Sequence, residues 1–393
     1  MLSPFRTRLA AGILLGLVVW FQPAAWRYAA PALSLFLAVC APVAVRSASL
    51  ALLLALPMLV AALLRRRFWC RRLCPVGLIS ESCGRLRGAR AAGKPAAGPG
   101  GWPAGRYLAL ATLGGAVFGY PFLLWMDPLA LFGGAFNAPA AVKLSAPPFS
   151  ALGLPLLMLV SFLFPGAWCS RICALGATQD LLAMSARWAS AARRKLRPEA
   201  PRRARRAFLA LGAGSALSAA TRFGAEKRPP LRPPGAVEET AFQGGCIRCG
   251  SCSRACPTGI IKPSVELDGV AGFLAPRLYF SGPNYCLQDC NLCGRVCPTG
   301  VIRPLALAAK NRHVIGLARI ELEGCLLTRE IECGVCIPRC PRQAIVDGFD
   351  RASWRVTVEV RDESCNGCGA CAGICPPRVI HVEAGRQPPL AGG

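Results

Sequence analysis

Residues 246–257 read CIRCGSCSRACP. Three cysteines crowd into one short loop, a fourth follows after three more residues, and a proline closes the run, which is the C-x2-C-x2-C-x3-C-P spacing that wraps a [4Fe-4S] cubane. Reading outward, the same design recurs three times: Cys286, Cys290, Cys293 and Cys297 before Pro298; Cys325, Cys333, Cys336 and Cys340 before Pro341; Cys365, Cys368, Cys371 and Cys375 before Pro376. The second run opens its first gap by one residue, the third opens it to seven, and the fourth returns to the strict spacing. Structural zinc asks for two cysteine pairs around a longer spacer, and disulfide frameworks ask for no such crowding. Cys246, Cys249, Cys252, Cys256 and the twelve that follow therefore read as the ligands of four [4Fe-4S] clusters.

In two-cluster ferredoxins the fourth cysteine of a run ligates the partner cluster, so pairing of runs is built into the chemistry. The spacing does not say which runs pair; we expect the first with the fourth and the second with the third. Short β-like stretches at 317–322 and Arg355–Val360 precede the third and fourth runs. Residues 242–382 are thus expected to form an α+β ferredoxin-like domain with tandem 4Fe-4S motifs, followed by a tail at 383–393.

Hydrophobic residues make up 53% of the chain and charged ones 17%, too apolar for an ordinary soluble protein. The excess lies before residue 222, and it places that part of the chain in lipid. The net charge of +26 is concentrated in arginines flanking apolar segments, the distribution of cytoplasmic membrane flanks rather than of a nucleic-acid surface. The two histidines, His313 and His381, fall in the ferredoxin region, and no Cys-x-x-Cys-His occurs. No haem is expected.

Residues 9–26, 47–64, 107–126 and 149–165 are each near the length that spans a bilayer. Arg6 and Arg8 put the N-terminus inside, and the arginines at 65–67 put the end of the second span inside, so residues 28–46 are read as an outer-face or re-entrant loop, or as a third full helix if the N-terminus is outside. Beyond the second and fourth spans stand WCRRLCPVGLISE and WCSRICALGATQD. They align as a repeat: Trp69, Cys70, Arg72, Cys74, Gly77 and Glu81 match Trp168, Cys169, Arg171, Cys173, Gly176 and Asp180 at identical offsets. Two spans separate the copies, so both lie on one face. Cys70, Cys74, Cys169 and Cys173 could hold a fifth cluster, form a dithiol pair, or be plain helix-end residues. Cys40 and Cys83 are assigned no role.

Arg205 and Arg206 precede Phe208, Leu209 and a mild apolar stretch. The arrangement is like a twin-arginine export signal lying mid-chain, or a fifth basic-flanked helix. The fold class expected is therefore an α-helical membrane domain of about four spans plus this fifth segment, followed by the ferredoxin-like domain. In segments, 1–186 is a transmembrane domain with two C-x3-C motifs, 187–224 a basic linker with signal or anchor, and 225–241 a further linker.

FWCRRLCP, WMDPLALFGG and WCSRICALGA resemble the membrane ferredoxin subunit of periplasmic nitrate reductase systems, the NapH family. The twin-arginine segment, RPPGAVEETAFQGGCIRCGSCSRACP and CLLTREIECGVCIPRCP resemble its exported partner, the NapG family, and the accessory ferredoxins of methylamine dehydrogenase clusters. The chain looks like a fusion of the two. Three features depart from the families: Ala174 stands where the second membrane motif has proline, the two soluble motifs that end the membrane subunit are missing, and NYCLQDCNLCGRVCPTG differs from the nitrate system's second motif.

The resemblance implies a quinol dehydrogenase-like electron-transfer component of the cytoplasmic membrane, its ferredoxin domain on the periplasmic side, passing electrons from quinol to a periplasmic redox enzyme or carrier. The other reading is an accessory factor for maturation or redox maintenance of an exported enzyme. No acid–base or nucleophilic catalytic constellation is present to support hydrolysis. Asp127, Glu81 and Asp180 are the carboxylates placed to accept a quinol's protons.

Overall fold

The computed structural model describes residues 4–46, 53–65, 67–86, 104–143, 152–193, 201–223, 230–264, 272–351 and 354–384. The chain packs as two compact units, the first of residues 1–225, 238–251 and 296–301, the second of residues 226–237, 252–295 and 302–393.

The first unit is helical. Helices Pro4–Phe21, Pro23–Leu33, Pro75–Leu86, Pro128–Lys143 and Pro201–Phe223 each open on proline, whose missing N–H costs nothing at a helix start and whose φ is already helical. Leu56–Leu64, Ala104–Val117, Gly153–Leu163 and Ala174–Arg193 complete the bundle. Among the described residues no single helix is long and apolar enough to cross a membrane; Pro23–Leu33 and Leu35–Val45 meet that criterion only as a pair, bent by 102°.

Of the expected spans, 9–26 is divided between Pro4–Phe21 and Pro23–Leu33 and 107–126 is cut short, while residues 47–52 and 149–151 of the other two lie outside the described residues. Helix 104–117 ends ahead of residue 126 because Gly119 takes φ 86, and the N–H groups of Gly119 and Tyr120 return to the carbonyls of Ala116 and Gly115. That is the Schellman closure of a helix on a left-handed glycine. The stretch at 28–46, read as an outer-face or re-entrant loop or else a third helix, is largely helical and broken at Ser34, whose hydroxyl accepts from the Leu37 N–H at 3.2 Å and so caps the second piece; a pair so bent fits a broken span or a re-entrant loop.

Helices Ala104–Val117 and Pro201–Phe223 meet backbone to backbone. A Cβ at Gly114 would collide with the Leu211 carbonyl, and one at Gly214 with that of Ala111, so only glycine permits this approach. Residue 211 facing 114 while 214 faces 111 makes the pair antiparallel. Arg205 and Arg206 therefore lie toward the Val117 end, whereas Gly105, at the other end, abuts the carbonyls of Ile172 and Cys173.

The second unit carries three two-stranded antiparallel sheets. Strand β1 (Ile261–Pro263) pairs with β2 (Pro276–Leu278), β3 (Leu317–Ile320) with β6 (Ile380–Glu383), and β4 (Ile345–Asp350) with β5 (Arg355–Val360). One-turn helices Ser251–Ala255, Leu292–Arg295, Cys336–Arg339 and Ala370–Ile374 carry each run from its third cysteine toward its fourth. The linker expected at 225–241 is, from residue 230 on, ordered chain that buries Leu231, Arg232 and Ala236. The tail expected at 383–393 lies outside the described residues except at 383–384.

Candidate functional site

Two cavities in the second unit are walled by cysteines. One, enclosing about 330 Å³ of atom-free space, is lined by Cys340, Cys365, Cys368 and Cys371. The other, about 320 Å³, is lined by Cys325, Cys333, Cys336 and Cys375. Each takes three cysteines from one run and the fourth from the other, so the third and fourth runs are partners. The reason is the sheet: β3 leads into the third run, β6 leaves the fourth, and the two strands are bonded with Leu317 opposite Glu383. Among the described residues no three His, Cys, Asp or Glu side chains converge on one metal ion. The thiols surround a space rather than a point, which suits a cubane and not a lone zinc.

The first two runs are partners by the same exchange. Within the first unit the Cys249 thiol is raised to about 12, chiefly by burial, with neighbouring Cys297 and Cys246 adding to the rise. Within the second unit burial raises Cys293 to about 12, with Cys286, Cys256 and Cys290 adding to the rise. Cys297 thus stands with the first run and Cys256 with the second. The expected pairing of first with fourth and second with third is corrected to first with second and third with fourth.

Burial likewise raises Cys371 to about 12 and Cys336 to about 11. Thiols so placed stay protonated at neutral pH unless a cation compensates, and a bound iron supplies that compensation because coordination deprotonates a thiol outright. The loop around the fourth run is correspondingly tight. Gly367 and Gly369 flank Cys368 at φ 72 and 82, and a Cβ on them would strike the Gly316 backbone and the Phe280 ring.

In the first unit the repeated motifs face each other. Cys70 lies within electrostatic reach of Cys74 and Cys169, Cys74 of Cys169 and Cys173, and Cys173 of Cys70. The surroundings repeat as the sequence does. Gly77 N–H donates to Cys74 Sγ at 3.3 Å and Gly176 N–H to Cys173 Sγ at 3.4 Å. Gln179 Nε2 of the second copy donates to Cys70 Sγ at 3.3 Å, and Ser80, its counterpart in the first copy, bonds Cys169.

The paired carboxylates are each held by arginine. Glu81 bonds Arg8 and Arg85, both at 2.6 Å. Asp180 bonds Arg67 at 2.7 Å and has Arg106 at 3.7 Å. Arg67 also donates to the Cys169 carbonyl at 3.0 Å and sits left-handed at φ 54. Several buried polar atoms at this site have no protein partner: Nε1 of Trp69 and of Trp168, Nε of Arg67 and Oε1 of Gln179. Three of the four are N–H donors that cluster sulfur would satisfy. The four cysteines, their donors and these orphans fit a [4Fe-4S] group.

Asp127 is fully buried; it accepts from Ser34 Oγ at 2.5 Å and from the Leu129 N–H at 2.8 Å, capping helix Pro128–Lys143. Cys40 and Cys83 are buried outside these sets. Sequence reasoning passed over Ser80, Gln179, Arg67 and Lys310. Ser80 and Gln179 stand at equal offsets in the repeat, one residue before Glu81 and Asp180, and that was a usable signal despite their different chemistry.

The family described as a 4Fe-4S dicluster domain matches residues 245–301. A second, described as a 4Fe-4S binding domain, matches residues 48–92 and 146–197, one match on each copy of the Cys-x3-Cys repeat. The ferredoxin-type protein NapG of Escherichia coli is 31% identical over 176 residues, covering 41% of this chain and 71% of NapG. NapF of Haemophilus influenzae is 32% identical over 158 residues, 40% of this chain and 81% of NapF. The methylamine utilization ferredoxin-type protein MauM of Methylophilus methylotrophus is 30% identical over 189 residues, 45% of this chain and 82% of MauM. No solved structure matches.

Proposed function

The chain belongs to the ferredoxin-type 4Fe-4S electron-transfer family that includes NapG, NapF and MauM, and from that premise we propose a membrane-anchored conduit that takes electrons from quinol and delivers them to a periplasmic redox enzyme or carrier. The observation that carries this reading is the core of the first unit. Cys74 and Cys173 of the repeat and Cys249 of the first ferredoxin run share one contiguous buried core, with Cys70 and Cys169 packed against it. We read that continuous core as the path along which electrons would pass between the groups these thiols hold.

On this reading four [4Fe-4S] groups bind the sixteen ferredoxin cysteines and a fifth binds Cys70, Cys74, Cys169 and Cys173. Iron-sulfur groups supply one-electron exchange over a potential range set by their surroundings. The chain's own residues hold them: thiolates ligate, Gln179, Ser80, Gly77 and Gly176 donate to ligand sulfurs, and the arginines at Asp180 and Glu81 fix the helix ends. Asp127, buried and hydrogen-bonded, is the carboxylate we assign to receive a proton from quinol. The apolar helices, their arginine flanks and the glycine-mediated packing support lipid as the solvent of the first unit. The likeness of the later half to exported NapG supports a periplasmic side for the ferredoxin runs. The likeness to both NapH and NapG motifs supports a fusion of two functions in one chain.

Anaerobic mixing of the purified protein with a reduced menaquinone analogue tests the proposal: the broad visible iron-sulfur absorbance should bleach. Absence of bleaching in protein that dithionite still reduces would reject electron entry from quinol. It would favour the second reading, an accessory factor, which the resemblance to MauM supports. A reporter fused after residue 393 should be active outside the cytoplasmic membrane; activity inside would reject the assigned side.

A further inference from the structure

Lys310 is a lysine with only 2% of its surface exposed, and none of the roles above uses it. It sits on helix Leu307–Arg312, whose first turn it closes by donating its N–H to Ala306 at 2.8 Å. Its ammonium donates to the Leu287 carbonyl and to the Cys286 sulfur. Among the described residues no carboxylate pairs with it. An ammonium taken out of water costs several kcal/mol unless an opposite charge faces it. Here that charge is supplied by thiolates, and they come from two different sets. The Lys310 charge acts on Cys286, in the set with Cys256, Cys290 and Cys293, and on Cys368, in the set with Cys340, Cys365 and Cys371. The same two cysteines are joined through the backbone, with Cys286 N–H donating to the Cys368 carbonyl at 2.9 Å.

We propose that Lys310 and the Cys286–Cys368 hydrogen bond form the junction between the two ferredoxin pairs, Lys310 being the positioning charge that favours an electron on either side of it. The proposal rests on the four-cluster conduit above and deepens it by giving the order of the sets. The first run pairs with the second, the second touches the fourth at this junction, and the fourth pairs with the third. The set of Cys325, Cys333, Cys336 and Cys375 is then the terminal one, where the chain meets its redox partner. At the junction one electron leaves the set holding Cys286 and arrives at the set holding Cys368; the first is oxidised by one, the second reduced by one, and no proton moves.

A second cation separates this role from a general field. Arg342 lines the cavity of the Cys368 set and is anchored by the Ser364 and Asn311 carbonyls at 3.1 and 3.3 Å. It borders one set, whereas Lys310 borders two.

The test is a redox titration, followed by electron paramagnetic resonance, of the full chain in detergent. Removing a cation disfavours the added electron. Lys310→Gln and Lys310→Met should each shift two of the reduction equilibria by about tenfold or more toward the oxidised form, ~59 mV for a one-electron couple. Lys310→Arg should restore both to within about threefold, and Arg342→Gln should move a single set. Full iron with all potentials unmoved in Lys310→Gln and Lys310→Met would overturn the junction alone, as would a shift confined to one set. Far fewer than about sixteen irons in the unaltered chain, four per cluster, would overturn the four-cluster reading and the junction with it.

Discussion

The two kinds of cysteine site recruit their ligands differently. In the ferredoxin runs, three thiols of each set come from one short loop and the fourth is lent by the partner run, Cys375 to Cys325, Cys333 and Cys336, and Cys340 to Cys365, Cys368 and Cys371. In the helical unit, two thiols come from each of two copies of a motif, and each copy also lends a side-chain bond to the other, Gln179 to Cys70 and Ser80 to Cys169. A trio in one loop is organised by local geometry as soon as the loop forms. A two-plus-two site exists only after the two halves have packed, so its integrity depends on helix contacts far from any sulfur.

The exchange of fourth ligands can be broken by counting iron. Cys325→Ala with Cys375→Ala removes two ligands of one set and should cost about four irons. Cys365→Ala with Cys375→Ala strikes two sets and should cost about eight. The reverse, about eight irons lost from the first variant and about four from the second, would mean that each run keeps its own fourth cysteine. For the helical site the expected loss is smaller and singular: Cys70→Ser with Cys169→Ser should lower a total of about twenty irons to about sixteen while leaving the ferredoxin spectrum intact. A full count of iron in that variant would remove the fifth cluster.

How much of this was legible follows the same division. The grouping of sixteen cysteines into four runs could be read from spacing, because a loop shaped to wrap a cubane leaves its pattern in eleven to sixteen consecutive residues. The strands at 317–320 and 355–360 were legible for a similar local reason. The pairing of runs was not, because it is decided by β3 bonding to β6, a contact across more than sixty residues with no trace in the spacing. In the helical unit the repeat showed that Cys70, Cys74, Cys169 and Cys173 belong together. Hydropathy does not register a helix stop such as Gly119 or a break such as Ser34. The antiparallel packing of helix Pro201–Phe223 has no trace in its arginine flanks, because the Gly114 and Gly214 contact sets it.

The smallest expected effect concerns the one place where the two helical copies differ most. Glu81 and Asp180 occupy the same position in the repeat, yet the Asp180 side chain is 1% exposed and that of Glu81 28%. Removing the partner of a buried carboxylate leaves an uncompensated charge, a loss of about 3 kcal/mol or more, moderated here because Arg106 stands at 3.7 Å. Removing the partner of a partly exposed one costs about 1 kcal/mol or less, and Arg85 remains bonded to Glu81. Arg67→Gln should therefore lower the melting temperature of the iron-loaded protein by several degrees, and Arg8→Gln by little, since about 1 kcal/mol corresponds to only about 2–4 °C in a chain segment of this size. Equal shifts would show that water reaches both carboxylates alike. The second copy would then hold no drier a site than the first, and the fifth cluster would owe its setting to the repeat's symmetry rather than to the better-buried half.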